Sequence, residues 1–288
     1  MLAPFLIMLR EGIEAALITG IVASYLYRTG RAQWMPLVWL GVLLAVALAL
    51  FVGAGLEIAS AEFPQKAQEL FEAAIGLIAV GVLVSMVFWM RKAARSIRGE
   101  LEHSIDAALA VDGGGGWALI AMVFFAVARE GLESVFFLLA IFQQSTGPAA
   151  PIGALAGVVA AAAVGYAIFA GGVRLNLRVF FHWTGVFILV VAAGLLAASL
   201  RSLHEAGLWN GLQYVPFDLS GVLPMSSVTG TILSGVFNYQ AAPTVGEIIA
   251  YVGFLAVALF LFLRPSDSAP RPAARDAAKS PAHGNVRA

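Results

Sequence analysis

The chain has no cysteine, only four histidines, and only 12% charged residues over its 288 positions. Without cysteine there are no disulfides, no thiolate metal ligands and no cysteine nucleophile, while the redox compartment stays open. A soluble domain carries about 25% charged residues, so this composition excludes one. The formal net charge is zero, which favours no partner of either sign, and nothing points to a nucleic acid. The N-terminus lacks a basic n-region, and Arg10 and Glu11 interrupt its apolar run. It is therefore not expected to be a cleaved signal, and the first helix is expected to stay. What the chain has in abundance is apolar surface: 60% hydrophobic residues and a mean hydropathy of +0.89. The expected class is an all-α, polytopic membrane protein whose surroundings are lipid.

A span needs about 20 apolar residues. Seven runs qualify as transmembrane helices: 4–27, 34–56, 67–90, 117–142, 151–173, 180–201 and 243–263. Their orientation follows from the basic residues. With the N-terminus outside, the inner side collects Arg28, Arg31, Arg91, Lys92, Arg95, Arg98, Arg174, Arg178, Arg264, Arg271, Arg275, Lys279 and Arg287, and the outer side only Lys66 and Arg201. Thirteen against two sets the N-terminus out and the C-terminus in, at the inner membrane of a cell with two. The permease domain is expected to cover 1–264. Segment 91–116 is expected to begin as an amphipathic helix and to end in a flexible joint at Gly113–Gly116. The outer loop 202–242, with Trp209, Tyr214, Pro216 and Pro224, reads as a folded cap or re-entrant piece. The tail 265–288, rich in proline, alanine and charge, reads as disordered.

Against this apolar background one motif occurs twice. Arg10-Glu11-Gly12-Ile13-Glu14 recurs as Arg129-Glu130-Gly131-Leu132-Glu133. At about 100° per residue, Arg10, Glu14 and Glu11 fall at about 0°, 40° and 100° on one helix face, with Gly12 behind them. A charged side chain at mid-bilayer costs roughly 2.5–3.5 kcal/mol on insertion scales. Six such groups must therefore meet one another, water or a cation. Helix 1 runs inward and helix 4 outward, so the copies cross the membrane in opposite directions. Residues 1–90 and 117–203 thus look like inverted three-helix halves, with a seventh helix added. Such repeats place a substrate site at their interface near the midplane, and Glu14 lies about 15 Å into helix 1. Four glutamates against two arginines leave a charge of −2. Carboxylates are hard oxygen donors, and facing ExxE pairs suit a di- or trivalent cation. The arginines would orient them. The bland alternative is an Arg–Glu brace between helices 1 and 4, although a brace needs one glutamate per arginine. Gly12 and Gly131 are expected to bring the two motifs close to each other.

Other acids have two readings each. Glu69 and Glu72, at the outer start of helix 3, form a cation-gathering funnel or a solvated helix start. Glu57 and Glu62 join them at the outer surface around Lys66, and for these two the solvated reading is favoured over the funnel. His204, Glu205 and Asp218 form an outer metal site or hold the cap together, and Glu247 is a first-turn acid. Enzyme readings fare poorly. Di-iron bundle sites use Glu-x-x-His, which neither ExxE supplies, and no aspartate falls in an expected span, as an aspartyl hydrolase would need.

With these residues in place, residues 1–263 resemble the oxidase-dependent iron permeases, the family of the fungal high-affinity iron permease and the bacterial Efe-type permease subunit. The paired Arg-Glu-Gly-hydrophobic-Glu motifs carry the resemblance. Glu69-Leu70-Phe71-Glu72, Thr184-Gly185, Leu203-His204-Glu205-Ala206-Gly207, Phe217-Asp218-Leu219-Ser220-Gly221 and Tyr239…Pro243-Thr244 support it. The resemblance implies transport of ferric iron made from ferrous iron at the outer face, with Fe3+ as substrate and no tightly bound cofactor. It implies Glu11, Glu14, Glu130 and Glu133 as translocation carboxylates, with Arg10 and Arg129 beside them, and Glu69 and Glu72 as the outer acidic motif. It also implies separate periplasmic oxidase or iron-binding partner proteins. The spacing alone does not select iron, and carboxylate transport of another divalent or organic cation is the alternative.

Overall fold

A computed structural model describes residues 2–264 apart from 62, 94–96, 111–114, 145–146, 170–175 and 226. The expected disorder of the tail 265–288 lies outside the described residues. In lipid every backbone amide must find its partner within the chain, which leaves helices as the natural solution for an apolar sequence. The described residues are accordingly helical: α1 (Leu2–Arg28), α2 (Met35–Ala61), α3 (Gln65–Ala93), α4 (Ile97–Leu109), α5 (Gly115–Gln143), α6 (Ala149–Phe169), α7 (Leu177–Glu205), α8 (Val228–Phe237) and α9 (Val245–Leu263), with a 3-10 turn at Ala32–Trp34. Five stretches are long and apolar enough to cross a membrane: Ala32–Ser60, Gln65–Met90, Ala149–Phe169, Val179–Glu205 and Val245–Leu263. The two remaining long helices, α1 and α5, carry the charged motifs. The chain is an all-helical, multi-pass membrane protein. Large exposed apolar side chains such as Phe51, Leu155, Tyr166 and Val257 cover α2, α6 and α9, a surface that calls for lipid rather than water.

Three helix starts are capped by side chains: Asn176 accepts from the Val179 amide, Ser227 from Gly230 and Thr244 from Glu247. Such caps fill the amide positions that a helix leaves unpaired. The outer segment is a folded piece, as its composition suggested. Helix α7 runs on to Glu205 and α8 lies within the segment. The amides of Val245 and Gly246 donate to the carbonyls of Tyr214 and Leu212, and that of Leu219 donates to Ala241. One expectation needs correction. The glycine joint is not wholly a joint, because Gly115 and Gly116 form the first residues of α5. The expected end of the fifth span at 173 lies outside the described residues.

Packing within the bundle is set by two stripes of small residues. Helix α6 lays Gly157, Ala161 and Gly165 on α1, and α2 lays Gly41, Ala49 and Gly53 on α5. A side chain on Gly157 would strike the Phe5 carbonyl, and one on Gly165 would meet the Ala16 Cβ at 2.6 Å. Gly12 would meet the Ala161 Cβ at 2.5 Å, and Gly131 the Ala49 Cβ at 3.0 Å. Small residues let helices approach closely where no hydrophobic effect drives them together. The motif glycines therefore serve the α1–α6 and α2–α5 contacts. They do not serve the approach of the two motifs to each other, as the sequence suggested. The two sets of contacts correspond. Gly12 on Ala161 matches Gly131 on Ala49, and Ala16 on Gly165 matches Val135 on Gly53. Helix α3 packs on α7, and α1 meets α5 at the centre.

Candidate metal centre

Each motif sits on one helix and turns its carboxylates toward the α1–α5 crossing. Arg10, Glu11, Glu14 and Glu130 are buried. Carboxylate oxygens of Glu11, Glu14 and Glu130 all lie within 4.8 Å of one another, and this is the one group of three or more potential metal ligands among the described residues. Arg10 stands between the two acids of its own helix. Its Nη1 is 3.5 Å from Glu11 Oε1, and its Nη2 is 3.2 Å from Glu14 Oε1. The second contact has ion-pair distance without hydrogen-bond geometry, so Glu14 Oε1 and Glu11 Oε2 are both buried with no hydrogen-bond partner. The Arg10 head is completed by α3 and α7: Nη1 donates to the Met86 sulfur at 3.3 Å, and the Phe181 ring lies 6.0 Å away.

The second copy is arranged differently. Arg129 Nε donates to Glu133 Oε1 at 2.9 Å, and its guanidinium lies 4.6 Å over the Trp89 ring. Glu133 Oε2 is buried without a partner. Glu130 groups with the acids of the first copy while still lying within the field of Arg129. Three carboxylates thus meet beside the one buried arginine, which touches Glu11 and Glu14, and Glu133 borders them in its pair with Arg129. If all are ionised, the three acids and Arg10 sum to −2. Charge of that sign, with hard oxygen atoms buried and left unpaired, suits a multivalent cation.

Of the outer candidates, Glu69 and Glu72 lie on the first turns of α3. Glu205 is within hydrogen-bonding reach of Glu69 and also near Glu72, and Gln68 donates to Glu72 Oε1 at 3.3 Å. His204 and Asp218 do not join them as a metal site. His204 Nδ1 meets the Trp209 carbonyl at 2.9 Å. Asp218 accepts from the amide and hydroxyl of Ser220 at 2.8 and 2.5 Å, which hold its carboxyl below the usual aspartate range. Both shape the cap. Glu247 does open α9, but it also forms a two-pronged pair with Arg201 at 2.9 and 2.7 Å, which fastens α9 to α7.

Sequence reasoning missed Met86, Phe181 and Trp89 around the arginines, because aromatic and thioether groups are unremarkable in an apolar helix. It also missed the stripes, although the four-residue spacing of Gly41, Ala45, Ala49 and Gly53, repeated by Gly153, Gly157, Ala161 and Gly165, is plain in the sequence. It read Glu57 as a surface acid. That residue lines a cavity of about 690 Å3 which also touches Glu11 and Glu130.

A helical bundle with several apolar spans and a buried, acid-lined centre belongs to the class of membrane transport proteins. The chain belongs to the Iron permease FTR1 family, which matches residues 1–266. It is 58% identical over 268 residues to the ferrous iron permease EfeU of Yersinia pestis, covering 93% of this chain and 95% of that one. It is 54% identical over 265 residues to the ferrous iron permease EfeU of Escherichia coli O157:H7, covering 92% and 96%. No solved structure matches it. These relatives are permeases and not enzymes, as the missing catalytic constellations suggested.

Proposed function

We propose that this chain imports iron through the site formed by Glu11, Glu14 and Glu130, with Glu133 at its edge. The observation that carries the proposal is the convergence of three buried carboxylates from two different helices, two of them with an oxygen that no donor satisfies. Arg10 tempers their repulsion without neutralising them. Seven helices span the membrane in this reading, α1 and α5 included, because the motif charges are satisfied inside the bundle and do not face lipid. The halves are inverted repeats. The matching of the α1–α6 and α2–α5 contacts supports that, as does the basic bias that sets the N-terminus outside. Rocking of one half against the other would then open the centre to either side.

The ion at the centre is ferric in this proposal. The relatives are named as ferrous iron permeases, so ferrous iron is the form offered, and a partner oxidase outside the membrane would convert it. Hard carboxylates favour the smaller, more highly charged ion, and Fe3+ against −2 leaves the site at +1. The test is uptake of radioactive iron into cells or vesicles, supplied as Fe2+ with and without an added oxidase and as Fe3+. Uptake that depends on oxidation supports the ferric reading. Equal uptake of Fe2+ under strict reduction sinks it, and full competition by manganese would replace iron with divalent cations in general.

A further inference from the structure

The site needs a way in, and the sequence pointed to Glu69 and Glu72. The cavities point elsewhere. A wide cavity beside the motif lies between α1, α2 and α5, holds about 690 Å3, and touches Glu11 and Glu130. Its lining carries three charged side chains, all carboxylates: Glu11, Glu130 and Glu57. Glu69 and Glu72 are not on it. Resting on the reading that the buried carboxylates bind the ion, we propose that this cavity is the outer vestibule and that Glu57 is the carboxylate that receives the cation at its mouth.

Placement along α2 supports this. Ala49 touches the second motif at Gly131, and Glu57 lies two turns further on, about 12 Å away along the axis at 1.5 Å per residue. Ala45, Ala49, Gly53 and Glu57 follow at four-residue intervals, so all four line the cavity from one face of the helix. Glu57 is exposed, and among the described residues its carboxylate has no basic partner within ion-pair distance. At the deep end, Glu11 is 2% exposed and its Oε2 has no hydrogen-bond partner. An acid at the mouth and an unsatisfied acid at the floor, with no base between them, form a gradient that draws a cation inward. The wall between is mostly apolar, with Leu50, Val135, Leu138 and Phe142, and its Ser134 hydroxyl is turned to the Glu130 carbonyl. The cation therefore crosses it still hydrated. At about 30 Å3 per water, the space holds on the order of twenty molecules. A wall with carboxylates only at its two ends lets the ion pass without lingering.

The absence of cysteine makes the test clean. Ala54 lines the cavity one turn below Glu57, so Ala54→Cys places a single thiol there. In intact cells it is treated from outside with a cationic and an anionic water-soluble methanethiosulfonate, and labelling is read on the protein itself. The proposal expects labelling by the cationic reagent about tenfold faster than by the anionic one. That is the ratio expected from one carboxylate about 6 Å away in water. The ratio should fall toward one when Glu57→Gln is added, and iron in the medium should slow the reaction. In uptake, Glu57→Gln should raise the half-saturating iron concentration about tenfold and leave the maximal rate within about twofold; Glu57→Asp should restore affinity. If neither reagent reacts, the cavity faces lipid and the proposal fails. It fails equally if the charge ratio ignores Glu57→Gln, or if the Glu69→Gln, Glu72→Gln double variant alone carries the loss of affinity. Normal uptake by Glu14→Gln, beside charge-selective labelling of Ala54→Cys, would instead remove the central site and leave the vestibule standing.

Discussion

The two copies of the motif share four of five residues and end up in different surroundings. In the first copy the arginine is 1% exposed, contacts both of its glutamates and is closed over by Met86 and Phe181. In the second the arginine side chain is 47% exposed, pairs with Glu133 alone and stacks on Trp89. A two-fold site built on the repeat would have given two equal arginine–glutamate sets. Instead Glu130 groups with the acids of the first set, leaving three acids beside Arg10 and the Arg129–Glu133 pair bordering them. The lesson is that a sequence repeat fixes where helices touch, while the charges at their crossing settle into whichever uneven grouping the space allows. An uneven centre is also what the proposed alternation between two states would give, since halves that exchange roles need not look alike at any moment.

The largest expected effect comes from removing each arginine in turn. Arg10→Met leaves three buried carboxylates without a cation and should cost about 3–5 kcal/mol. Arg129→Met removes a half-exposed pair and should cost about 1 kcal/mol or less. Thermal unfolding in nanodiscs reads the difference, and equal losses would break the comparison. Next in size is the close approach behind each motif. Gly12→Ala, with 2.5 Å to the Ala161 Cβ, should cost more than Gly131→Ala, with 3.0 Å to the Ala49 Cβ; overpacking of this kind costs about 1–3 kcal/mol. Adding Ala161→Gly should recover the loss from the first, and failure of that rescue in melting experiments would place the fault elsewhere. Smaller again, Trp89→Leu should weaken the second copy by about 0.5–1 kcal/mol, the worth of an exposed cation–aromatic contact, and should leave the stability contribution of Arg10 untouched in a double-mutant cycle.

The smallest effect concerns the C-terminal end of the first copy's helix. Tyr25 donates to Asp106 at 2.6 Å, Arg31 pairs with Asp106 at 2.9 Å and Arg28 with Glu102 at 3.0 Å, which ties α4 to α1. The Tyr25 hydroxyl first, and then Arg31, hold the Asp106 carboxyl below the usual aspartate range. A depressed folded value contributes stability above the ordinary one, and that contribution is lost as pH falls through the depressed value. Hydrogen exchange in α4 should therefore be flat from neutral pH down to the ordinary carboxylate range and rise only below it, after correction for the intrinsic rate. Asp106→Asn should raise it at every pH. A rise near pH 6 would show that another group holds α4.

Much of this was legible in the sequence. The seven apolar runs became the seven long helices because twenty consecutive apolar residues have few other ways to satisfy their backbone. The burial of Arg10, Glu11, Glu14 and Glu130 within the bundle was legible because charges in such runs are too costly to leave facing lipid. The unequal grouping among them was not, since Glu14 and Glu133 hold the same place in nearly identical motifs and only the tertiary crossing separates them. The partners of the glycines were also hidden. A glycine announces a close neighbour but not which helix supplies it, and here α6 and α2 do so through alanines 112 residues apart in sequence, Ala49 and Ala161. Glu57 was ranked below Glu69 and Glu72 because an acid near a helix end looks the same whether it faces bulk water or the mouth of a cavity.

The uneven centre is tested most directly by iron uptake in four single variants, Glu11→Gln, Glu14→Gln, Glu130→Gln and Glu133→Gln, each normalised to protein in the membrane. The account predicts that the first three lose at least about tenfold of transport, the worth of one well-placed ligand, while Glu133→Gln retains clearly more. Full transport by Glu130→Gln beside a dead Glu133→Gln would contradict it, and would return the two copies to separate and equal roles.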